Sequence, residues 1–239
     1  MAGLTHPNLV VLTGAGLSAE SGVPTFRGMD GLWEGHRIEE VASPVAFKLT
    51  PDRVHRFYNL RRASLKTVQP NAAHHALVRL EKAWPGSFLH VTQNVDDLNE
   101  RAGAEKLLHM HGQLKKVRCL WCRTVLEWES DLDVSTVCPE CASVGKMRPD
   151  IVWFGEVPYH IEEISQALET VEIFLCIGTS GVVYPAAGFA RQAASKGAKR
   201  LIEINLEPTE ISSHFTDQRQ GSAGEEVPRL VEELLSEVT

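Results

Sequence analysis

The stretch Leu9-Val-Val-Leu-Thr-Gly-Ala-Gly-Leu-Ser-Ala19 decides how the rest of the chain is read. Its apolar run, Leu9 to Thr13, has the Val-rich composition of a parallel strand covered on both faces. Gly14 then allows a tight turn, and Gly16 lets a phosphate approach the backbone at the N-terminus of a following helix. Ala19 stands where the third small residue of a dinucleotide fingerprint sits. Together, Gly14, Ala15, Gly16, Ser18 and Ala19 predict a strand, a glycine turn and a helix that hold a nucleotide. A glycine turn that merely joins strand to helix would read the same in this segment alone.

Outward from it, Ser21-Gly-Val-Pro-Thr-Phe-Arg-Gly28 is too rich in Gly and Pro to continue a helix. The segment is expected to be a loop. An aromatic ring and a guanidinium beside a phosphate site are the parts of a flap: Phe26 covers a ring of the ligand and Arg27 pairs with phosphate. A dinucleotide fold also places an acid about twenty residues after the glycines, at the end of a second strand. Here that region holds Gly35, His36 and Arg37 with no strand before them, which implies another way of holding a ribose.

The 239 residues, 43% of them hydrophobic, suffice for one large domain or a large and a small lobe. A formal charge of -7 argues against nucleic acid or an anionic membrane as partner. No apolar segment is long enough to span a bilayer, and Met1 to Asn8 lacks the regions of a signal peptide, so a cytoplasmic location is expected.

Four of the five cysteines form Cys119-Leu-Trp-Cys122 and Cys138-Pro-Glu-Cys141, fifteen residues apart. Two knuckles of two thiolates each can close a tetrahedral shell around one structural zinc ion, with no open position for catalysis. A redox dithiol pair is the weaker alternative in a reducing compartment. Cys176 lies in the apolar run Ile173 to Ile177 and reads as a buried core thiol.

Elsewhere, apolar runs at Phe88 to Thr92, Ile173 to Ile177 and Leu201 to Ile204 read as strands. Helical patterns cover His74 to Ala83, Ile161 to Thr170, Ala186 to Lys196 and Val227 to Val238. The fold class is α/β, a Rossmann-like parallel sheet flanked by helices. A smaller lobe is made of a zinc ribbon and a helical insertion. The expected large lobe covers about 1–36, 71–114 and 147–239; the small lobe covers 37–70, a helical module, and 115–146, a zinc module.

Polar residues cluster where strands end. Gln93, Asn94, Val95 and Asp96 follow one strand, Gly178, Thr179 and Ser180 a second, and Asn205, Leu206 and Glu207 a third. The carboxyl edge of a parallel sheet is where such folds bind ligands. His109 and His111 offer proton transfer near neutral pH, and spacing alone does not choose between them.

With these residues assembled, the chain resembles the sirtuin family of NAD-dependent protein deacylases. The likeness runs through Gly14 to Arg27, Thr92 to Asp96, His111-Gly112, the four cysteines, Val152-Trp-Phe-Gly-Glu156, Gly178 to Ser180, Asn205 to Glu207 and Gly221-Ser-Ala223, in the family's order. The resemblance selects His111 as catalytic base, with Asn94 and Gln93 beside it. It implies NAD as co-substrate, bound by those glycine and strand-end residues together with Pro24, Phe26, Arg27, Trp33 and Ala223, and one structural zinc ion on Cys119, Cys122, Cys138 and Cys141. Acyl-lysine proteins are the implied partners, their backbone pairing near Val152, Trp153, Phe154 and Gly155. The implied products are nicotinamide, free lysine and 2'-O-acyl-ADP-ribose.

Tyr58 and Arg61 lie one turn apart on a helical pattern, offering a hydroxyl and a guanidinium. The pair resembles the Tyr-x-x-Arg motif of the class III sirtuin branch that removes succinyl and malonyl groups. Ala42 matches that branch's small residue at the acyl pocket, which acetyl-lysine would still fit.

Overall fold

The computed structural model describes residues 6–25, 32–33 and 36–238, with only the backbone given at 32–33. Phe26 and Arg27 therefore lie outside the described residues, as does the Trp33 side chain.

Strand β1 (Leu9–Thr13) leads into the glycine turn. Two short 3-10 turns follow, Ala15–Leu17 and Ala19–Ser21, in place of the expected α-helix. The segment is short: Gly22, in the left-handed region at φ 91°, ends it after those two turns, and the Gly16 N–H donates to Gly178 O at 2.9 Å, across to another loop. A two-residue hairpin, β2 (Leu32–Trp33) and β3 (His36–Arg37), stands where no strand was expected. The helical insertion comprises α1 (Ile38–Val41), α2 (Pro44–Leu49) and α3 (Pro51–Ser64). Then come α4 (Ala72–Ala83), β4 (Phe88–Thr92), α5 (Leu98–Ala102) and β5 (Leu107–His109). The zinc module is built on β6 (Gly112–Cys119), β7 (Val125–Glu127) and β8 (Met147–Ile151). The chain finishes with α6 (Ile161–Glu169), β9 (Ile173–Ile177), α7 (Phe189–Ser195), β10 (Arg200–Asn205), β11 (Asp217–Gln220) and α8 (Ala223–Val238).

Six strands form one parallel sheet in the order β11-β10-β9-β1-β4-β5. The chain winds outward from β1 through β4 to β5, then returns to lay β9, β10 and β11 on the other side. The switch of direction falls between β1 and β9, where a sheet of this kind opens a crevice at its carboxyl edge. Every residue of β1 and β9 is buried, because both faces are covered. Leu9 and Val11 pack with Leu77 and Leu80 of α4 and Leu230 and Leu234 of α8. Val10 and Leu12 face the opposite way, toward Ile164 and Leu168 of α6 and Ala190 and Ala193 of α7.

The insertion has its own core, in which Val41, Ala42, Phe57 and Tyr58 meet Leu114, Ile151 and Trp153. In the antiparallel sheet β7-β6-β8 the central strand β6 runs from Gly112, just after β5 of the main sheet, out to Cys119, and β8 runs back from Met147 to Ile151 beside it. Among the described residues no helix is long and apolar enough to cross a membrane.

Candidate active site

At the switch point two turns are packed backbone against backbone. Gly14 N–H donates to Ile177 O and Gly16 N–H to Gly178 O, each at 2.9 Å. A Cβ on Gly14 would stand 2.7 Å from Gly178 O, and one on Gly16 2.6 Å from Gly178 Cα. The requirement for glycine at these positions thus comes first from the neighbouring turn, where the sequence suggested an approaching phosphate. Gly178 itself sits at φ 61°, a conformation that disfavours a side chain. Next to it Thr179 is buried and Ser180 exposed. The Asn205 amide donates to Thr179 O at 2.7 Å, tying the end of β10 to the same turn. Leu206 and Glu207 are exposed beyond it, and Ala223 is buried at the start of α8.

A buried chain of hydrogen bonds runs beneath this edge. Thr13 Oγ1 lies 2.9 Å from His90 Nε2 and donates to Thr92 Oγ1 at 2.9 Å. Thr92 Oγ1 also accepts the Asn94 N–H at 3.1 Å. The Asn94 side-chain amide donates to Ser18 Oγ at 3.1 Å, and His74 Nε2 lies 3.4 Å from the same oxygen. Asn71 closes the chain as the cap of α4, accepting from the Ala73 and His74 N–H groups and donating to Leu17 O at 2.8 Å. Asp96, also buried, has its carboxyl pushed above the usual range by burial, opposed by hydrogen bonds from the Leu98 N–H and the Ser18 hydroxyl. Amide and acid at 94 and 96 are therefore held on one serine.

His90 and His74 are buried and neutral: burial, with neighbouring histidines adding to it, pushes His90 down to about 3 and His74 down to about 4. Unfolding returns each ring to an ordinary pKa near 6.5. The unfolded chain then binds protons that the folded chain refuses, so stability is present above about pH 6.5 and falls as pH drops toward about 4. Each histidine contributes a slope of about 1.4 kcal/mol per pH unit in that window. Urea unfolding followed from about pH 7 down to about pH 5 should show falling stability; a flat profile would show that these rings take up protons in the folded state.

The two candidate bases part company in their contacts. His109 directs Nδ1 to Asn94 O at 3.1 Å and Nε2 to Glu100 Oε1 at 2.7 Å. Both of its nitrogens are engaged within the chain. His111, half-buried, places Nδ1 3.2 Å from Gln93 O. A carbonyl only accepts, so Nδ1 carries the proton and Nε2 keeps its lone pair. Burial holds its pKa below 6.5 against the opposing hydrogen bond to Gln93, which keeps the ring a neutral base at physiological pH.

On α3, Tyr58 and Arg61 are both buried, so the helix turns this face inward. Tyr58 OH accepts from Trp153 Nε1 at 3.0 Å. Arg61 Nη1 donates to Phe57 O at 2.7 Å, its guanidinium lying over the Phe57 ring. Ala42 is buried beside them, and its carbonyl accepts the Phe154 N–H at 3.0 Å. The Val152 N–H goes to His111 O at 2.9 Å and the Trp153 N–H to Glu156 Oε2 at 2.8 Å. Phe154 and Gly155 are exposed, and Gly155, at φ 89°, has nothing within 4 Å of where a Cβ would be.

The four cysteine sulfurs lie within 4.8 Å of one another, the only such ligand cluster among the described residues. Cys119 and Cys141 are 3.7 Å apart and Cys122 and Cys138 3.8 Å apart. A tetrahedron with zinc–sulfur bonds of about 2.3 Å has edges of about 3.8 Å, so the thiols fit one zinc ion and exclude a disulfide between them.

Comparison with known proteins agrees with this geometry. Residues 14–185 match the model of the Sir2 family. The chain belongs to the Sir2 family. An NAD-dependent protein deacylase of Bdellovibrio bacteriovorus is 58% identical over 95% of this chain and 97% of its own length. Among solved structures, a Sir2 homologue mutant in complex with ADP-ribose superimposes with a TM-score of 0.88 at 39% identity, covering 96% of this chain and 92% of that one. A Sir2 homologue–NAD complex does so with a TM-score of 0.86 at 40% identity, covering 97% and 90%.

Within this Sir2 chain, sequence reasoning missed the support of the site: buried Thr13, His74, His90 and Arg148, half-buried Asn71, and the pairing of Glu156 with Arg148. One signal was available. Asn71-Ala-Ala-His74 has the spacing of a capping box, and that is the role both residues take at the start of α4. Pro24 is exposed at the start of the segment that leads to Phe26 and Arg27.

Proposed function

We propose that this chain removes acyl groups from protein lysines with NAD as co-substrate, yielding nicotinamide, free lysine and 2'-O-acyl-ADP-ribose, and that it accepts acetyl, succinyl and malonyl groups. The observation that carries this reading is His111, a neutral base with Nε2 unprotonated, held by Gln93 O at the carboxyl edge of the sheet in a Sir2 chain. When bound, NAD supplies an electrophilic ribose carbon and the neighbouring hydroxyl that takes over the acyl group.

The residues then divide the work. Gly14 to Ala19 and Gly178 to Ser180 border the pyrophosphate at the switch point. Asn205, Leu206, Glu207 and Ala223 flank the adenosine half. Asn94 and Asp96, fixed on Ser18, define the nicotinamide side together with Val95, and Pro24, Phe26, Arg27 and Trp33 join the NAD set on their sequence motif. Gln93 orients the ribose, and His111 Nε2 takes a proton from its hydroxyl. The segment Val152 to Gly155, which follows β8 and turns at Phe154 and Gly155, is where peptide backbone would pair, and such pairing makes small demands on the substrate's sequence. Four thiols that must stay reduced to hold zinc suit a cytoplasmic setting.

Tyr58 and Arg61 supply the donors for a distal carboxylate, with Ala42 leaving room for the longer chain. Arg61→Met removes a charge-assisted hydrogen bond of about 1.5 to 3 kcal/mol, so the ratio of succinyl-lysine to acetyl-lysine kcat/KM should fall roughly ten to a hundredfold. The products are identified by mass spectrometry on one peptide carrying each acyl group in turn. An unchanged ratio would leave a plain deacetylase.

A further inference from the structure

Tyr58 does not stand alone in the acyl pocket; a buried relay behind it sets which way its hydroxyl is used. The Trp153 indole N–H donates to Tyr58 OH at 3.0 Å, and an indole nitrogen can only donate. Tyr58 therefore accepts on that side and must direct its own proton away from Trp153. A phenol that already accepts a hydrogen bond is polarised into a better donor. Burial raises the Tyr58 pKa far above its usual value, so that proton is retained at any pH at which the protein works.

Trp153 is in turn clamped from two directions. The Arg148 guanidinium lies 3.3 Å over the centre of its ring. Arg148 also makes a bidentate pair with Glu156, Nη1 to Oε1 at 2.7 Å and Nη2 to Oε2 at 2.9 Å, and donates to Ile151 O at 2.6 Å. Glu156 Oε2 accepts the Trp153 N–H at 2.8 Å, so one carboxylate holds both the backbone of Trp153 and the cation stacked on its ring. Phe47 also packs against the indole, with ring centroids 5.3 Å apart and the planes tilted by 44°. The indole has no freedom to turn its N–H from Tyr58.

We propose that Trp153, fixed by the Arg148–Glu156 pair, is a positioning residue that makes Tyr58 a hydrogen-bond donor to a distal acyl carboxylate and so sets the preference among acyl groups. This rests on the reading of Tyr58 and Arg61 as a carboxylate site. It goes further in naming three residues outside that pair, two of them charged, as determinants of the same selectivity. A neutral acyl tail gains nothing from an oriented donor, so the effect belongs to succinyl and malonyl groups.

The test is a mutant cycle read on the ratio of succinyl-lysine to acetyl-lysine kcat/KM, with KM and kcat separated. Trp153→Phe keeps an aromatic ring and removes the donor; the ratio should fall about three- to tenfold, through KM for succinyl-lysine. In a Tyr58→Phe background, Trp153→Phe should move the ratio no further, because no hydroxyl remains to orient. Arg148→Lys keeps the charge but loses the planar fork, and should lower the ratio in the same direction, which covers the case in which Trp153→Phe does not fold. A Trp153→Phe or Arg148→Lys variant that depresses both substrates alike, or an effect that persists in the Tyr58→Phe background, overturns the proposal. If Tyr58→Phe and Arg61→Met lower the ratio while Trp153→Phe does not, the carboxylate site stands and only the relay is wrong. If neither Tyr58→Phe nor Arg61→Met changes it, both fall together.

Discussion

Replacing His111 with Ala should lower kcat for deacylation by at least about a hundredfold, the lower end of what a positioned general base contributes. The loss should fall on kcat more than on KM, because the imidazole acts on a proton in flight. Its Nδ1 bond to Gln93 O, at 3.2 Å, holds the ring in the tautomer that leaves Nε2 basic, and among the described residues no buried polar partner other than that carbonyl depends on it. The fold should survive: circular dichroism and zinc content should match the parent chain. Because burial holds the pKa of His111 below 6.5, activity of the parent enzyme should stay level through neutral pH and fall only on the acid side of that value, as the ring takes up a proton. His109→Ala is the contrast. Both nitrogens of that ring are tied to Asn94 O and Glu100, so its loss should be felt through the placement of Asn94 as altered KM for NAD. Turnover by His111→Ala within a few-fold of the parent would remove it from the chemistry and direct attention to His109.

Much of this arrangement was legible because it is written in runs of one kind of residue. Strands β1 and β9 are buried on both faces, so each leaves an apolar run in the sequence, and β4 leaves one interrupted only at His90. The edge strands left no such mark. β11 is Asp-Gln-Arg-Gln, and β5 is three residues long; each has one neighbour in the sheet, and at β11 the side chains alternate between half-buried and exposed. Helix α8 begins four residues before the apolar pattern does, and it carries Pro228 inside it, a residue that reads as a boundary. Its start is held from a distance instead, by the Glu20 carboxylate accepting the Gly224 N–H at 2.6 Å.

The site was legible in a different way. The residues proposed to meet ligands lie at strand ends, where short polar clusters stand out against apolar runs. Residues that hold those clusters do not stand out: His90 is one polar side chain within a buried strand, and only the fold brings it to Thr13. The same holds for Arg148 and Glu156, whose pairing depends on how β8 turns into the Val152 to Gly155 segment. The choice between His109 and His111 belongs here too, since it turns on which carbonyls and carboxylates surround two rings two residues apart.

Removal of zinc should have the largest effect on stability, and it should be confined to part of the molecule. The core under the cysteines comprises Val117, Cys119, Leu132, Cys138 and Met147, too few apolar side chains to fold a module of its own without the metal. Chelation of the ion, or Cys138→Ser, should therefore unfold the segment from about 115 to about 146. The damage then passes to α3 through named bonds. Asn59 exchanges hydrogen bonds with the Leu132 backbone at 2.9 and 3.0 Å, and Arg62 donates to Ser130 O at 3.1 Å. Asn59 then loses the Leu132 backbone and Arg62 loses one acceptor while keeping Leu114 O at 2.8 Å, and α3 also carries Tyr58 and Arg61. The two cores that flank the six-stranded sheet contain no residue of the zinc module, so β1, β4 and β9 should remain folded. Hydrogen exchange followed by mass spectrometry should show protection lost first across 115–146, then across α3, with Leu9–Thr13 still protected, and deacylation should stop before the sheet unfolds. A metal-free protein whose zinc module keeps full protection would mean that something other than zinc holds it, and a single cooperative loss that includes β1 would mean that the two lobes do not separate as their cores imply.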